Sequence, residues 1–125
     1  MKLIIGGAYN GKLNYVKETL RVVDEDICYI QDTLDLSKSV LYGIHHFIYH
    51  NALNGISSLP FFEEHLDDLK TKVIVCDEIS SGIVPLKKEE RFYREEVGRI
   101  LQFLSRESNS IIRIFCGIEV VLKDE

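Results

Sequence analysis

The residues best placed to do chemistry come at the first turn. Gly6-Gly7-Ala8-Tyr9-Asn10-Gly11-Lys12-Leu13 fits the pattern G-x-x-x-x-G-K plus one further residue. In that pattern the glycines let backbone N–H groups turn inward around phosphate oxygens. The helix that follows adds the positive end of its dipole, and the lysine reaches the outer phosphates. The position after the lysine is ordinarily Ser or Thr, whose hydroxyl holds Mg²⁺. Here it is Leu13, which cannot ligate a metal. Gly6 to Leu13 therefore reads as a loop for the phosphates of ATP or GTP, with Lys12 as its catalytic cation and its Mg²⁺ site weakened. The competing reading is a glycine-rich turn that no longer binds anything.

A loop of this kind usually works with a carboxylate at the end of a neighbouring strand, near the metal's water shell. Asp32 follows one apolar run, and Asp77-Glu78 follow another. Asp32 and the pair Asp77-Glu78 are both candidates for the catalytic and Mg²⁺-associated carboxylate, Glu78 being the weaker for the metal. A helix cap or loop acid is the plain alternative for each. His45, His46 and His50 form a further cluster, and His46 and His50 share a helix face at a spacing of four. A metal site there would need a third ligand, for which His65 and Glu64 are the candidates. His46 could instead act as a nucleophile, and a partly exposed helix flank accounts for all three histidines without any chemistry.

Alternating apolar segments must position these groups. Lys2 to Ile5 reads as a buried strand running into Gly6, and Lys12 to Val22 as a helix. Asp26 to Ile30 reads as a second short strand, and Leu36 to Leu53 as one long helix ended by Asn54-Gly55. Pro60 to Leu69 is a short helix, and Val73 to Cys76 is an unbroken β-branched strand. Asp77 to Pro85 reads as a loop and Lys87 to Arg106 as a second long helix. Ile111 to Cys116 reads as a strand, with an edge strand over Glu119 to Leu122. Alternation with uniformly apolar central strands predicts an α/β fold, an open and mainly parallel sheet with helices on both faces. It is the P-loop NTPase-like arrangement, in a single domain over residues 1–125, a usual domain size.

Composition narrows the partners. Fifteen Lys and Arg against twenty Asp and Glu leave a formal net charge of −5, which argues against a broad nucleic-acid-binding face. Cys28, Cys76 and Cys116 are scattered in apolar runs, and read as buried free thiols of a reducing compartment. The apolar N-terminal stretch is too short for a membrane span or signal peptide. The expectation is a cytoplasmic protein with no membrane partner.

Four segments, in order, carry a family resemblance. Gly6 to Lys12 resembles the G-G-A-R-S-G-K-S loop of adenosylcobinamide kinase/adenosylcobinamide-phosphate guanylyltransferases, enzymes of cobalamin biosynthesis. Asp77-Glu78-Ile79-Ser80-Ser81-Gly82-Ile83-Val84-Pro85 resembles their N-E-V-G-x-G-I-V-P. Arg91 to Gln102 resembles R-x-F-R-D-x-x-G-R-x-N-Q, and Cys116-Gly117-Ile118 through Lys123 resembles V-x-G-x-x-x-x-x-K. The resemblance implies a kinase and guanylyltransferase acting on a corrinoid, assembled as a homo-oligomer around its C-terminal helices. It also shows departures. Tyr9 replaces an arginine and Leu101 an asparagine, and the chain is shorter than the family. If Asp32-Thr33-Leu34-Asp35-Leu36 matches the family's D-C-L-T-L, the missing block lies between Val23 and Asp26. It would take with it the histidine that accepts the guanylyl group. In the other register that histidine is His45 or His46. The resemblance thus implies nucleotide binding with reduced or altered transferase activity, the guanylyl step lost. Its alternative is a non-catalytic interaction or regulatory domain that kept the fold.

Overall fold

The computed structural model describes residues 1–78 and 87–125. Ile79 to Pro85, the centre of one family-like segment, lie outside the described residues. Six strands form one sheet in the order β2-β3-β4-β1-β5-β6. They are β1 Lys2–Gly6, β2 Ile27–Tyr29, β3 Val40–Tyr42, β4 Val73–Asp77, β5 Ser110–Phe115 and β6 Ile118–Asp124. All neighbours are parallel except β5 and β6. That confirms the mainly parallel α/β fold.

Parallel central strands need cover on both faces, hence their unbroken apolar composition. On one face Leu3, Leu41, Ile74, Cys76 and Ile111 pack under helices α2 (Ile44–Leu53) and α5 (Lys88–Glu107). Phe62 and Leu69, from short helices α3 (Leu59–Glu64) and α4 (Leu66–Leu69), are fully buried there. Helix α5 turns Val97, Ile100 and Leu104 inward, as its periodicity predicts. Burying each such side chain contributes about 1.5–3 kcal/mol. Glu96 is buried among them because its Oε1 accepts the Ser58 N–H at 2.6 Å. It thereby satisfies the start of α3, where Ser58 itself makes no side-chain cap.

The opposite face carries a smaller cluster of Ile4, Val40, Val75, Ile112 and Ile114. Its cover is the segment after the first turn, which is shorter than the sequence suggests. Helix α1 spans only Lys12–Asn14, continues as a π-helical turn over Tyr15–Thr19, and stops before Arg21 at φ 57°. Val16 is its one fully buried residue, with Leu13, Tyr15 and Leu20 partly buried beside it.

Leu36 to Leu53 is not one helix. Val40-Leu41-Tyr42 is strand β3, inserted between β2 and β4. The segment Asp32 to Leu36 therefore leads from one strand to another through turns, in which Asp35 Oδ1 accepts the Ser37 N–H at 2.9 Å. Helix α2 starts at Ile44, after Gly43 at φ 90°. Strand pairing with β4 outweighs the helical spacing of apolar residues, because Val40 and Leu41 are buried on opposite faces of a sheet. The cysteines also differ from expectation: all three are free, but Cys116 is exposed and Cys28 only half-buried.

Candidate functional site

Two strand-to-helix turns meet at the carboxyl ends of the central strands, where open parallel sheets bind ligands. They bound a cavity of about 510 Å³, inside the range of small-molecule sites (about 300–1,000 Å³). Ala8 to Asn14 form one wall; Tyr42, His45, His46 and Asp77 form the other.

The first wall is the glycine loop. Gly6 closes β1 against β5: a Cβ there would lie 2.5 Å from the Ile114 carbonyl oxygen. Gly11, at φ 94°, begins α1, and its own Cβ position faces Gly117 Cα at 3.4 Å. Only a residue free to take positive φ makes that turn without strain. The β5–β6 hairpin braces the loop from outside. Its two turn residues, Cys116 and Gly117, both have positive φ, the geometry of a tight two-residue hairpin. The Gly117 N–H donates to the Asn10 carbonyl at 2.9 Å.

Lys12 is 3% exposed, so its charge must be paired. Its Nζ donates to the Gly7 carbonyl at 2.6 Å and lies 2.8 Å from Asp77 Oδ1. The partner is dictated by register: Asp77 ends β4 directly beside Gly6 at the end of β1. Tyr9, three residues before Lys12, is fully exposed with φ 63°. Leu13 packs against the apolar cluster on its face of the sheet. The residue at the usual metal-hydroxyl position is thus a partly buried leucine that packs against the core and lines the cavity.

The second wall is made by Gly43. Its N–H donates to the Val75 carbonyl at 2.9 Å, locking the start of α2 onto β4. His45 is buried and stands between the helix and Asp77. Its Nδ1 accepts the Asp77 main-chain N–H at 3.1 Å, and its Nε2 lies 3.3 Å from Asp77 Oδ2. Burial drives its pKa down to about 4, against the raising effect of Asp77, so the ring is neutral near pH 7. His46 is exposed, and its ring packs against His45 at 4.1 Å between centroids, tilted by 40°. Burial, then the Asp77 charge, raises the Tyr42 hydroxyl above its usual range.

The site therefore brings together Gly6 to Leu13, Asp77, His45 and His46, but not every residue expected there. Asp32 is exposed after β2, the edge strand, and does not line the cavity. Glu78 pairs instead with Arg113, Oε2 to Nη2 at 3.0 Å. His50 is exposed and outside the cavity lining. The His65 Nδ1 hydrogen-bonds with the Phe61 carbonyl at 2.9 Å, on α3 rather than beside His46. Among the described residues no three His, Cys, Asp or Glu side chains converge to hold a metal. A directly ligated Mg²⁺ does not fit this donor set: Leu13 offers no oxygen, and the Asp77 carboxylate is paired with Lys12. Tyr42 and His45 were missed as a pair by sequence reasoning. The available signal was Val40-Leu41-Tyr42 running into Gly43, the same strand-then-glycine order as Leu3-Ile4-Ile5 into Gly6.

Residues 57–122 match a family described as cobinamide kinase / cobinamide phosphate guanyltransferase. A comparison with curated proteins finds no match.

Proposed function

The chain belongs to the cobinamide kinase / cobinamide phosphate guanyltransferase family, and on that premise we propose that it binds ATP or GTP at the loop Gly6 to Leu13, with reduced or altered transfer activity. The observation that carries the proposal is Lys12. It is a buried cation at the floor of a cavity of suitable size, held by one carbonyl and one carboxylate that phosphate oxygens can replace. Gly7, Asn10 and Gly11 would wrap the phosphates, and Lys12 would leave Asp77 for them. Asp77, rather than Asp32, would face the terminal phosphate. Any divalent ion would arrive with the nucleotide, because the donors among the described residues do not make a site for it. A corrinoid of the cobinamide class is the acceptor that the family suggests. Self-association through the region of α5 and a cytoplasmic location belong to the same proposal.

Isothermal calorimetry with ATP and GTP, with and without Mg²⁺, tests it. We expect saturable heat with at least one nucleotide in the absence of metal. No heat and no thermal shift with either at millimolar concentration would defeat the reading.

One observation favours a second reading, a non-catalytic domain. Leu13 contributes to the core where a metal-binding hydroxyl is usual. Under that reading nucleotide binds, or once bound, without turnover. Nucleotide hydrolysis or corrinoid phosphorylation by purified protein would exclude it.

A further inference from the structure

We propose that the Asp77 carboxylate is a built-in competitor for the phosphate site, an autoinhibitory contact that an incoming anion must displace from Lys12. This rests on the nucleotide reading above and adds the contact that opposes the ligand.

Among the described residues that line the cavity, Lys12 is the only lysine or arginine and Asp77 the only carboxylate. The two are paired, Nζ to Oδ1 at 2.8 Å. Lys12 is 3% exposed, and its Nζ also donates to the Gly7 carbonyl at 2.6 Å. The Asp77 side chain is the more open member of the pair, at 25%. A phosphate oxygen entering from the cavity therefore gains the cation only by taking the carboxylate's place.

Asp77 is held at its backbone and does not withdraw with it. It ends β4 directly beside Gly6 at the end of β1. Its main-chain N–H donates to His45 Nδ1 at 3.1 Å. The next residue, Glu78, donates its N–H to the Gly6 carbonyl at 2.8 Å. Rotation of the side chain is left as the way to release Lys12, and the carboxylate then stays at the cavity wall beside the bound phosphate. Like charges repel there, and no second lysine or arginine of the described lining offsets them. Asp77 thus opposes an anion twice, by holding Lys12 before binding and by repulsion after it.

Metal-free calorimetry on the whole chain tests this, with inorganic tripolyphosphate and ATP as probes. Asp77→Asn keeps the shape and an acceptor for Lys12 but not the charge. It should bind tripolyphosphate about tenfold more tightly than the unmodified chain, the scale of one charge-assisted hydrogen bond. Asp67→Asn removes an equal charge from an exposed residue on α4, outside the cavity lining. It should leave binding within about twofold, because an exposed charge is screened. Asp77→Asn strips a buried cation of its counter-ion and can cost the fold, so the unmodified chain supplies a second measurement. In its carboxyl ¹³C NMR spectrum the Asp77 resonance should move on saturation with tripolyphosphate, as Lys12 leaves it, while that of Asp67 stays in place. Equal or weaker binding by Asp77→Asn, equal tightening by Asp67→Asn, or an unmoved Asp77 resonance would each overturn the proposal. If neither the unmodified chain nor Asp77→Asn binds either probe, the proposal falls together with the nucleotide reading. Tripolyphosphate bound without ATP, and more tightly by Asp77→Asn, would uphold the proposal and defeat the nucleotide reading alone.

Discussion

The turns from β1 into α1 and from β3 into α2 are built alike. Each follows a short apolar strand, and each begins its helix at a glycine of positive φ, Gly11 at 94° and Gly43 at 90°. They flank Asp77 from opposite sides. Yet one spans six residues from Gly6 to Gly11 and presents a buried cation, while the other is a single glycine that presents two imidazoles. The first is a binding loop in its own backbone. The second becomes part of a site only because β3 pairs with β4 and carries α2 to the same edge of the sheet. Chemistry held in a local loop can be seen in a short stretch of sequence; chemistry assembled across strands cannot.

The sharpest way to break the comparison is to remove the cation. Lys12→Ala deletes the charge that the first turn exists to present, and leaves the Asp77 carboxylate beside the phosphates. Loss of such a charge-assisted bond is about 1.5–3 kcal/mol, about ten- to a hundredfold in Kd. Nucleotide binding at accessible concentrations should be lost by calorimetry. An unchanged Kd would mean that the first turn does not bind phosphate at all.

The second turn should declare itself in pH. His45 has a folded pKa of about 4 against an ordinary 6.5, so below pH 6.5 the unfolded chain binds the proton more readily. The stabilisation from keeping the ring neutral is complete above pH 6.5 and is lost as pH falls from there toward 4, by about 2–4 kcal/mol in all. Melting temperature measured from pH 7 to 4 should fall faster for the unmodified chain than for His45→Gln. Parallel curves would mean that burial does not hold the ring neutral.

Glycine replacements probe the shared device. Gly11→Ala and Gly43→Ala each force an L side chain to positive φ, at about 1–2 kcal/mol, and both should lower the denaturant midpoint. Only Gly11→Ala should also weaken nucleotide binding severely, since Gly43 shapes the far wall. Equal effects on binding would make the two turns a single unit. The smallest effect belongs to Asp32→Ala. An exposed residue outside the cavity should change stability by less than about 0.5 kcal/mol and leave Kd unaltered. A large loss of nucleotide affinity would return Asp32 to the site.

Much of the fold was legible because each cue was local. The apolar runs at Leu3 to Ile5 and Val73 to Cys76 mark strands buried on both faces, and Ile111, Ile112 and Ile114 mark a third despite the exposed Arg113. The spacing of Val97, Ile100 and Leu104 marks the inner side of α5. Val40 to Tyr42 was misread because a three-residue strand followed by a helix shares its apolar spacing with one continuous helix. The expectation of Asp32 came from its likeness to the family's D-C-L-T-L segment, whereas Asp77 lies beside Lys12 because β4 neighbours β1. Helix α1 was overread for a related reason: Val16 and Leu20 fit a helical face, but the π turn and Arg21 end it early.

By itself the sequence determined that a glycine loop with a lysine would close the first strand, since positive φ and backbone approach are properties of Gly6 to Lys12 alone. It also determined that Leu13 cannot hold a metal. Only the tertiary structure decided which acid meets Lys12. That choice depends on β4 lying beside β1 in a register that sets Asp77 against Gly6. Only the tertiary structure brought His45 to the same carboxylate, because strand pairing, rather than anything near His45 in the chain, sets the position of α2.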